Sequence, residues 1–222
     1  TQNVFSISGL AHKVMVKEGC YDDCYKFGGV IRHFISQAVV GGRTMISNNE
    51  KKFRGNMDDI NFDVENENEE LLNKLNGDKI SDFDGVSLYP SSMYRVPGYI
   101  KGLPKPFYDG MTYEKLQECD YYFVEILIKK IGVDRNVSLV SEKNDEGVRI
   151  FNNNMNGKTI IVDKITLEDL IEFQKVEFDV IRGYTFNDGF NTTIKDVIYK
   201  MFTARLEKKK EKNPIQLVYK LL

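Results

Sequence analysis

Apolar positions along this chain follow helical spacing at both ends and strand-like spacing in the middle. Val4, Ile7, Leu10, Ala11, Val14 and Met15 recur at roughly helical intervals over residues 4–18. Gly28-Gly29 interrupts them, and residues 30–40 turn apolar again before Gly41-Gly42-Arg43. Residues 44–78 are polar, rich in Asn and Glu from 61 to 70, and predict an exposed connection with one short helix near 69–75. If 79–84 is extended, Ile80, Asp82 and Asp84 share a face, because strand side chains alternate. Pro97-Gly98 and Pro104-Lys105-Pro106 impose turns. Tyr121–Lys130 is aromatic and β-branched and predicts a strand, as does Ile160–Val162. Thr166–Phe173 predicts a short helix with Thr166 as N-cap and Asp169 at the third helical position, and Val176–Tyr184 returns to strand. Ile194, Val197, Ile198, Met201 and Phe202 form a helical stripe. Asn213-Pro214 then suits an N-cap and first residue of another helix, which makes an antiparallel helix pair. The fold class is α+β, and no internal repeat is evident.

At 222 residues the chain is one large domain or part of one. Its 41% hydrophobic and 29% charged content is ordinary for a globular protein. The net charge of −2 does not announce a nucleic-acid binder, but its distribution changes that picture. From Asp58 to Asp84 there are ten acids and two lysines; from Thr192 to Leu222 there are eight Lys or Arg and three acids. An acidic and a basic pole suit a metal pocket facing a phosphate-binding surface, and equally an ordinary solvated surface. Cys20-x-x-x-Cys24 has no second ligand pair at a usual zinc spacing, so Cys20, Cys24 and Cys119 read as free thiols in a reducing compartment. No apolar run reaches the ~18 residues a membrane span needs, and no signal peptide is visible. The chain opens on Thr1 and stops inside a helical pattern, which reads as a fragment.

Candidate chemistry concentrates at residues 82–93, Asp-Phe-Asp-Gly-Val-Ser-Leu-Tyr-Pro-Ser-Ser-Met. An acidic pair runs into a tight turn with free amides, which pairs a hard-cation ligand with an anion cradle. Mg²⁺ takes one or two carboxylates, waters and substrate phosphates, and phosphoryl transfer uses such ions to hold triphosphate oxygens. On residues alone, Tyr89 reads as a core tyrosine and Gly41-Gly42-Arg43 as a simple turn.

The string Asp84-x-x-Ser87-Leu88-Tyr89-Pro90-Ser91 resembles motif A of family B DNA polymerases. The resemblance implies that Asp84 and the Gly85 carbonyl bind Mg²⁺ (or Mn²⁺), although relatives carry a bulkier residue than Gly85. Asp82 is then a helper or a solvated carboxylate. Ser87 and Leu88 contact the incoming triphosphate, and Tyr89 lies under the sugar, where its ring excludes a 2′-hydroxyl. Gly41, Gly42 and Arg43 are similar to the template-contacting Tyr-x-Gly-Gly segment, with Val39 departing at the tyrosine. The helix pair resembles the fingers: Arg205, Lys209 and Lys220 grip the triphosphate, and Lys220-Leu221-Leu222 opens motif B. Lys208 replaces Lys209 if the register differs. Arginine supplies a bidentate fork there and lysine a point charge. Without the resemblance, the run Lys208-Lys209-Lys210 is a solvated basic face.

The implied organisation is a linker over 1–78, a palm segment with motif A over 79–113, an insertion and palm over 114–190, and truncated fingers over 191–222. The insertion favours the protein-primed branch of plasmids, viruses and organelles. The expected partners are primer-template DNA, dNTPs and a terminal-protein primer, inside a cell and without a membrane. The expected whole-protein activity is two-metal addition of dNTPs to a primer hydroxyl. The family's second metal segment, Tyr-x-Asp-Thr-Asp-Ser, does not occur in these residues, so this piece alone is expected to be inactive. A non-catalytic DNA- or protein-binding remnant is the alternative, disfavoured by the intact Asp84 and Ser87–Ser91 string. An RNA polymerase or reverse transcriptase is disfavoured by Tyr89 at the sugar position and by Ser-Leu-Tyr-Pro.

Overall fold

Tyr121–Lys130 forms strand β3, and its alternation divides the molecule. Tyr122, Val124, Ile126 and Ile128 are wholly buried on one side of the strand. Tyr121 and Phe123 pack into a separate apolar cluster on the other. The structure is a computed structural model and describes residues 6–41, 88–144 and 147–221, which lie in one compact unit. The predicted helix near 69–75 and the strand at 79–84 lie outside the described residues.

In chain order the elements are helices α1 (Ile7–Lys17), α2 (Gly29–Ala38) and α3 (Leu88–Arg95), strands β1 (Tyr99–Ile100) and β2 (Lys105–Phe107), and helix α4 (Tyr113–Gln117). Strands β3, β4 (Ser141–Lys143), β5 (Arg149–Phe151) and β6 (Thr159–Asp163) follow, then helix α5 (Lys164–Gln174). Strands β7 (Glu177–Phe186) and β8 (Phe190–Asn191) lead to helices α6 (Thr193–Lys210) and α7 (Gln216–Leu221). The described elements are thus helices and wholly antiparallel strands, as the α+β reading requires.

The main sheet runs β2-β7-β3-β6. Its first face packs on Leu167 and Leu170 of α5, with Leu116 and Met155 buried in the same core. Its second face carries Phe123, Tyr184 and Phe186 and is covered by Phe34 and Ile35 of α2. Gly183 allows the sheet to close, because a Cβ there would run into the Phe123 carbonyl and the Phe107 ring. Two smaller ribbons, β1-β8 and β4-β5, flank this sheet.

The helix expected at 166–173 begins earlier. Asp163, not Thr166, is its N-cap: Asp163 Oδ1 accepts from the Thr166 amide at 3.0 Å, and Oδ2 accepts from the Tyr121 hydroxyl at 2.6 Å. Asp163 is favoured because one carboxylate satisfies both an orphan helix amide and a half-buried phenol. The α6–α7 connection is close to expectation, with Asn213 Oδ1 accepting from the Ile215 amide at 3.0 Å. Pro214 and Ile215 form a tighter i→i+3 turn, so α7 starts at Gln216.

A buried amide fixes the loops beyond β3. Gln174 is fully buried at the end of α5. Its Oε1 accepts from the Leu139 amide at 2.6 Å and the Val140 amide at 3.2 Å, and its Nε2 donates to the Val133 carbonyl and to Asn153 Oδ1. Gln174→Ala strands those groups away from water and is expected to cost about 2–4 kcal/mol in urea unfolding. A variant as stable as the parent would remove this role.

The phenols of β3 predict an alkaline limit. Burial, then Asp163, holds the Tyr121 hydroxyl far above the ordinary tyrosine range, and burial does the same for Tyr122. Both groups ionise near pH 10 when unfolded and stay protonated when folded, so the unfolded state sheds protons first and stability falls as pH rises above about 10. The Tyr122 hydroxyl is buried with no hydrogen-bond partner among the described residues. Tyr122→Phe is therefore expected to keep or raise stability at pH 7 and to flatten the alkaline decline, read by denaturation from pH 8 to 11.

Candidate functional site

The segment read as a tight turn after Ser87 is instead a helix from its first described residue. In α3, Pro90 sits in the first turn, where backbone amides lack intrahelical partners, so its missing N–H costs nothing. Ser91 Oγ donates back to the Leu88 carbonyl at 2.9 Å, and Arg95 Nε donates to the Ser91 carbonyl at 3.2 Å. Leu88 is 55% exposed and Tyr89 73% exposed, which rejects the core-tyrosine reading. Both side chains start α3 and face outward.

Helix α3 packs against α6. The base of α6 is firmly held: Ile194 and Val197 are buried against Cys20, with Val14, Met15 and Tyr99 around them. Asn191, just before α6, donates through Nδ2 to the Gly19 carbonyl at 2.8 Å and the Asp22 carbonyl at 3.0 Å, while its Oδ1 accepts from the Thr193 amide at 3.0 Å. One side chain thus ties the α1–α2 loop to the start of the basic helix.

At its far end α6 carries the cations. Arg205 is half-buried along the same helix face as the apolar stripe. Lys208 Nζ lies 2.8 Å from Glu211 Oε2, and this carboxylate holds the lysine above its ordinary pKa. Lys209 is exposed and makes no ion pair among the described residues. The backbone of Lys220 lies in α7, which packs on α6. The structure therefore puts Leu88, Tyr89, Arg205, Lys209 and Lys220 on three helices of one packed group.

Other predicted positions are not reached. Asp84, Gly85, Ser87, Gly42 and Arg43 lie outside the described residues. Gly41 is described and exposed, beyond the end of α2. The α2 C-terminus is fixed by Arg149, whose Nη2 donates to the Gln37 and Val39 carbonyls at 2.6 and 3.2 Å. Sequence reasoning did not find Arg149, Asn191, Tyr94 or Tyr199. A cavity of about 580 Å³ lies beside α3, lined by Met93 and Val96 of that segment and by Tyr25, Phe27, Tyr99 and Phe190. No group of three or more His, Cys, Asp or Glu side chains among the described residues could hold a metal. No described helix is long and apolar enough to cross a membrane.

Residues 68–222 match the family model described as DNA polymerase type B, organellar and viral. Among curated proteins none matches the sequence significantly. Two solved structures are similar. Phi29 DNA polymerase in an orthorhombic crystal form is 18% identical with a TM-score of 0.48, the match covering 62% of this chain and 24% of that one. Phi29 DNA polymerase complexed with primer-template DNA is 18% identical with a TM-score of 0.43, covering 62% and 23%. The chain thus spans about a quarter of the length of the polymerase it matches.

The two neighbouring lysines are expected to differ. Lys208 is already neutralised by Glu211, whereas Lys209 has its charge to offer. Lys209→Ala is predicted to weaken tripolyphosphate binding several-fold in low salt, and Lys208→Ala to change it by less than twofold. Titration calorimetry checks this, and equal losses would reject the assignment.

Proposed function

Because the chain belongs to the organellar and viral type B DNA polymerases, we propose that it supplies the triphosphate-binding half of a DNA-directed DNA polymerase centre. The parent protein adds dNTPs to a primer 3′-hydroxyl on a DNA template, with a terminal protein as primer. Residues 1–78 form the linker, 79–113 the palm segment, 114–190 the insertion with further palm, and 191–222 the fingers. The protein acts inside the cell. The single observation that carries this reading is the family match, which spans both Ser87–Ser91 and the basic helices. The packing of exposed Leu88 and Tyr89 on α3 against cationic α6 supports it.

Each residue has a role. Arg205 offers two parallel donors to phosphate oxygens, and Lys209 and Lys220 add point charges that offset the triphosphate. Ser87 and Leu88 contact the same group from α3's side. The Tyr89 ring lies under the sugar and leaves no room for a 2′-hydroxyl. Gly41, Gly42 and Arg43 approach the template backbone, glycine for closeness and arginine for phosphate.

The Asp84 carboxylate and the Gly85 carbonyl are hard oxygen donors of the kind Mg²⁺ or Mn²⁺ takes, and no metal-holding cluster among the described residues competes with them. When bound, such an ion supplies charge stabilisation to the triphosphate. One carboxylate-bearing segment is too few for a two-ion centre, so the 222 residues alone do not polymerise.

The test uses the full-length protein on a primed template with Mg²⁺. Asp84→Ala is expected to abolish incorporation, and Tyr89→Val to raise ribonucleotide incorporation at least tenfold relative to dNTPs. A folded parent containing a second acidic segment but incorporating nothing would favour the non-catalytic binding remnant.

A further inference from the structure

Helix α3 is lightly held. It has eight residues, below the roughly 12–15 at which an isolated helix becomes stable in water, and none of its side chains is buried. Its Ser91 and Arg95 side chains bond their own backbone rather than a neighbouring element. Met93 and, just past the helix end, Val96 line the cavity rather than filling it. Among the described residues, the helix that α3 packs on most extensively is α6.

The described ring contact between the two helices is Tyr94 with Tyr199. Their centroids are 6.3 Å apart with planes tilted by 34°, inside the range in which aromatic pairs attract. Tyr94 is 49% exposed and Tyr199 61% exposed, so neither is an ordinary core residue. Tyr199 lies two positions past buried Val197, about 200° around the helix, so it presents the side of α6 away from α1. Helix α6 is anchored on one face by the Cys20 cluster and at its base by Asn191, and it offers Tyr199 on the other.

We propose that Tyr94 and Tyr199 are positioning residues that hold α3, and with it Leu88 and Tyr89, at a fixed distance from the cations of α6. This rests on the polymerase reading above. Neither ring is assigned a contact with nucleotide. Tyr94 lies five residues after Tyr89 on α3, and Tyr199 lies six before Arg205 on α6, so a change at the pair is carried along each helix to the groups that hold the triphosphate and sugar. The pair requires ring faces rather than hydroxyls, so phenylalanine should serve at either position.

The experiment measures steady-state dNTP incorporation by the full-length protein, together with thermal midpoint and affinity for primed duplex. Tyr94→Ala and Tyr199→Ala are each expected to raise KM for dNTP about three- to tenfold with a smaller change in kcat. Midpoint and duplex affinity should stay near the parent values. Tyr94→Phe and Tyr199→Phe should restore the parent KM. The double alanine variant should be no worse than the worse single, because both remove one contact. An active parent whose alanine variants keep KM within twofold, or whose double variant multiplies the single effects, overturns the inference and leaves the polymerase reading intact. Alanine variants with lowered midpoints and KM changes that phenylalanine does not rescue would assign the rings to general stability instead. An inactive parent overturns both readings.

Discussion

The pleat of β3 is the constraint from which the rest of this molecule is built. Its even-numbered residues from Tyr122 to Ile128 are fully buried against α5, and Tyr121 and Phe123 feed the cluster under α2. A one-residue slip against β7 would exchange those two sets and expose both cores at once. The register is protected by features on each side: Gly183 admits the Phe123 carbonyl, and the Glu125–Arg182 ion pair marks the level at which the ladder first shifts. With the strand fixed, Asp163 sits beneath the Tyr121 hydroxyl and caps α5 in the same act.

The candidate site follows a different design. Its cations stand on α6, whose base is packed through Ile194 and Val197 and tethered by Asn191, whereas Tyr89 stands on α3, which has no buried side chain. Rigid and lightly supported elements thus meet at one place. Local stability follows buried apolar contact, so α3 belongs to the least protected part of the described structure. An element that must accept and release a ligand is well placed there, because small changes in its surroundings shift it at low cost.

What could be read beforehand divides along physical lines. Strand β3 was legible to the residue because six of its ten positions are aromatic or β-branched, types that favour a pleated, half-buried surface. The stripe on α6 was legible by its period, and two of its members are indeed buried. Strands of two or three residues, such as β1, β2 and β8, leave no period to detect. The cap of α5 was misplaced because Asp163 and Thr166 are both good caps, and only the Tyr121 phenol separates them. Gln174 and Arg149 left no signal in the sequence, since polarity does not say which polar groups will be enclosed. At the site, the Ser-Leu-Tyr-Pro string singled out Leu88 and Tyr89, which are exposed, but the helix that carries them was hidden by its proline.

Asn191 has a consequence for how the chain comes together. Its side chain bonds to carbonyls at Gly19 and Asp22, separated from it by 172 and 169 positions. Closing a loop of that size costs entropy that only a preassembled sheet can reduce, by bringing its ends near one another beforehand. During synthesis the α1–α2 loop must therefore wait while the whole strand region emerges and pairs. The seat of the basic helix is a late event, completed by residues made long before α6.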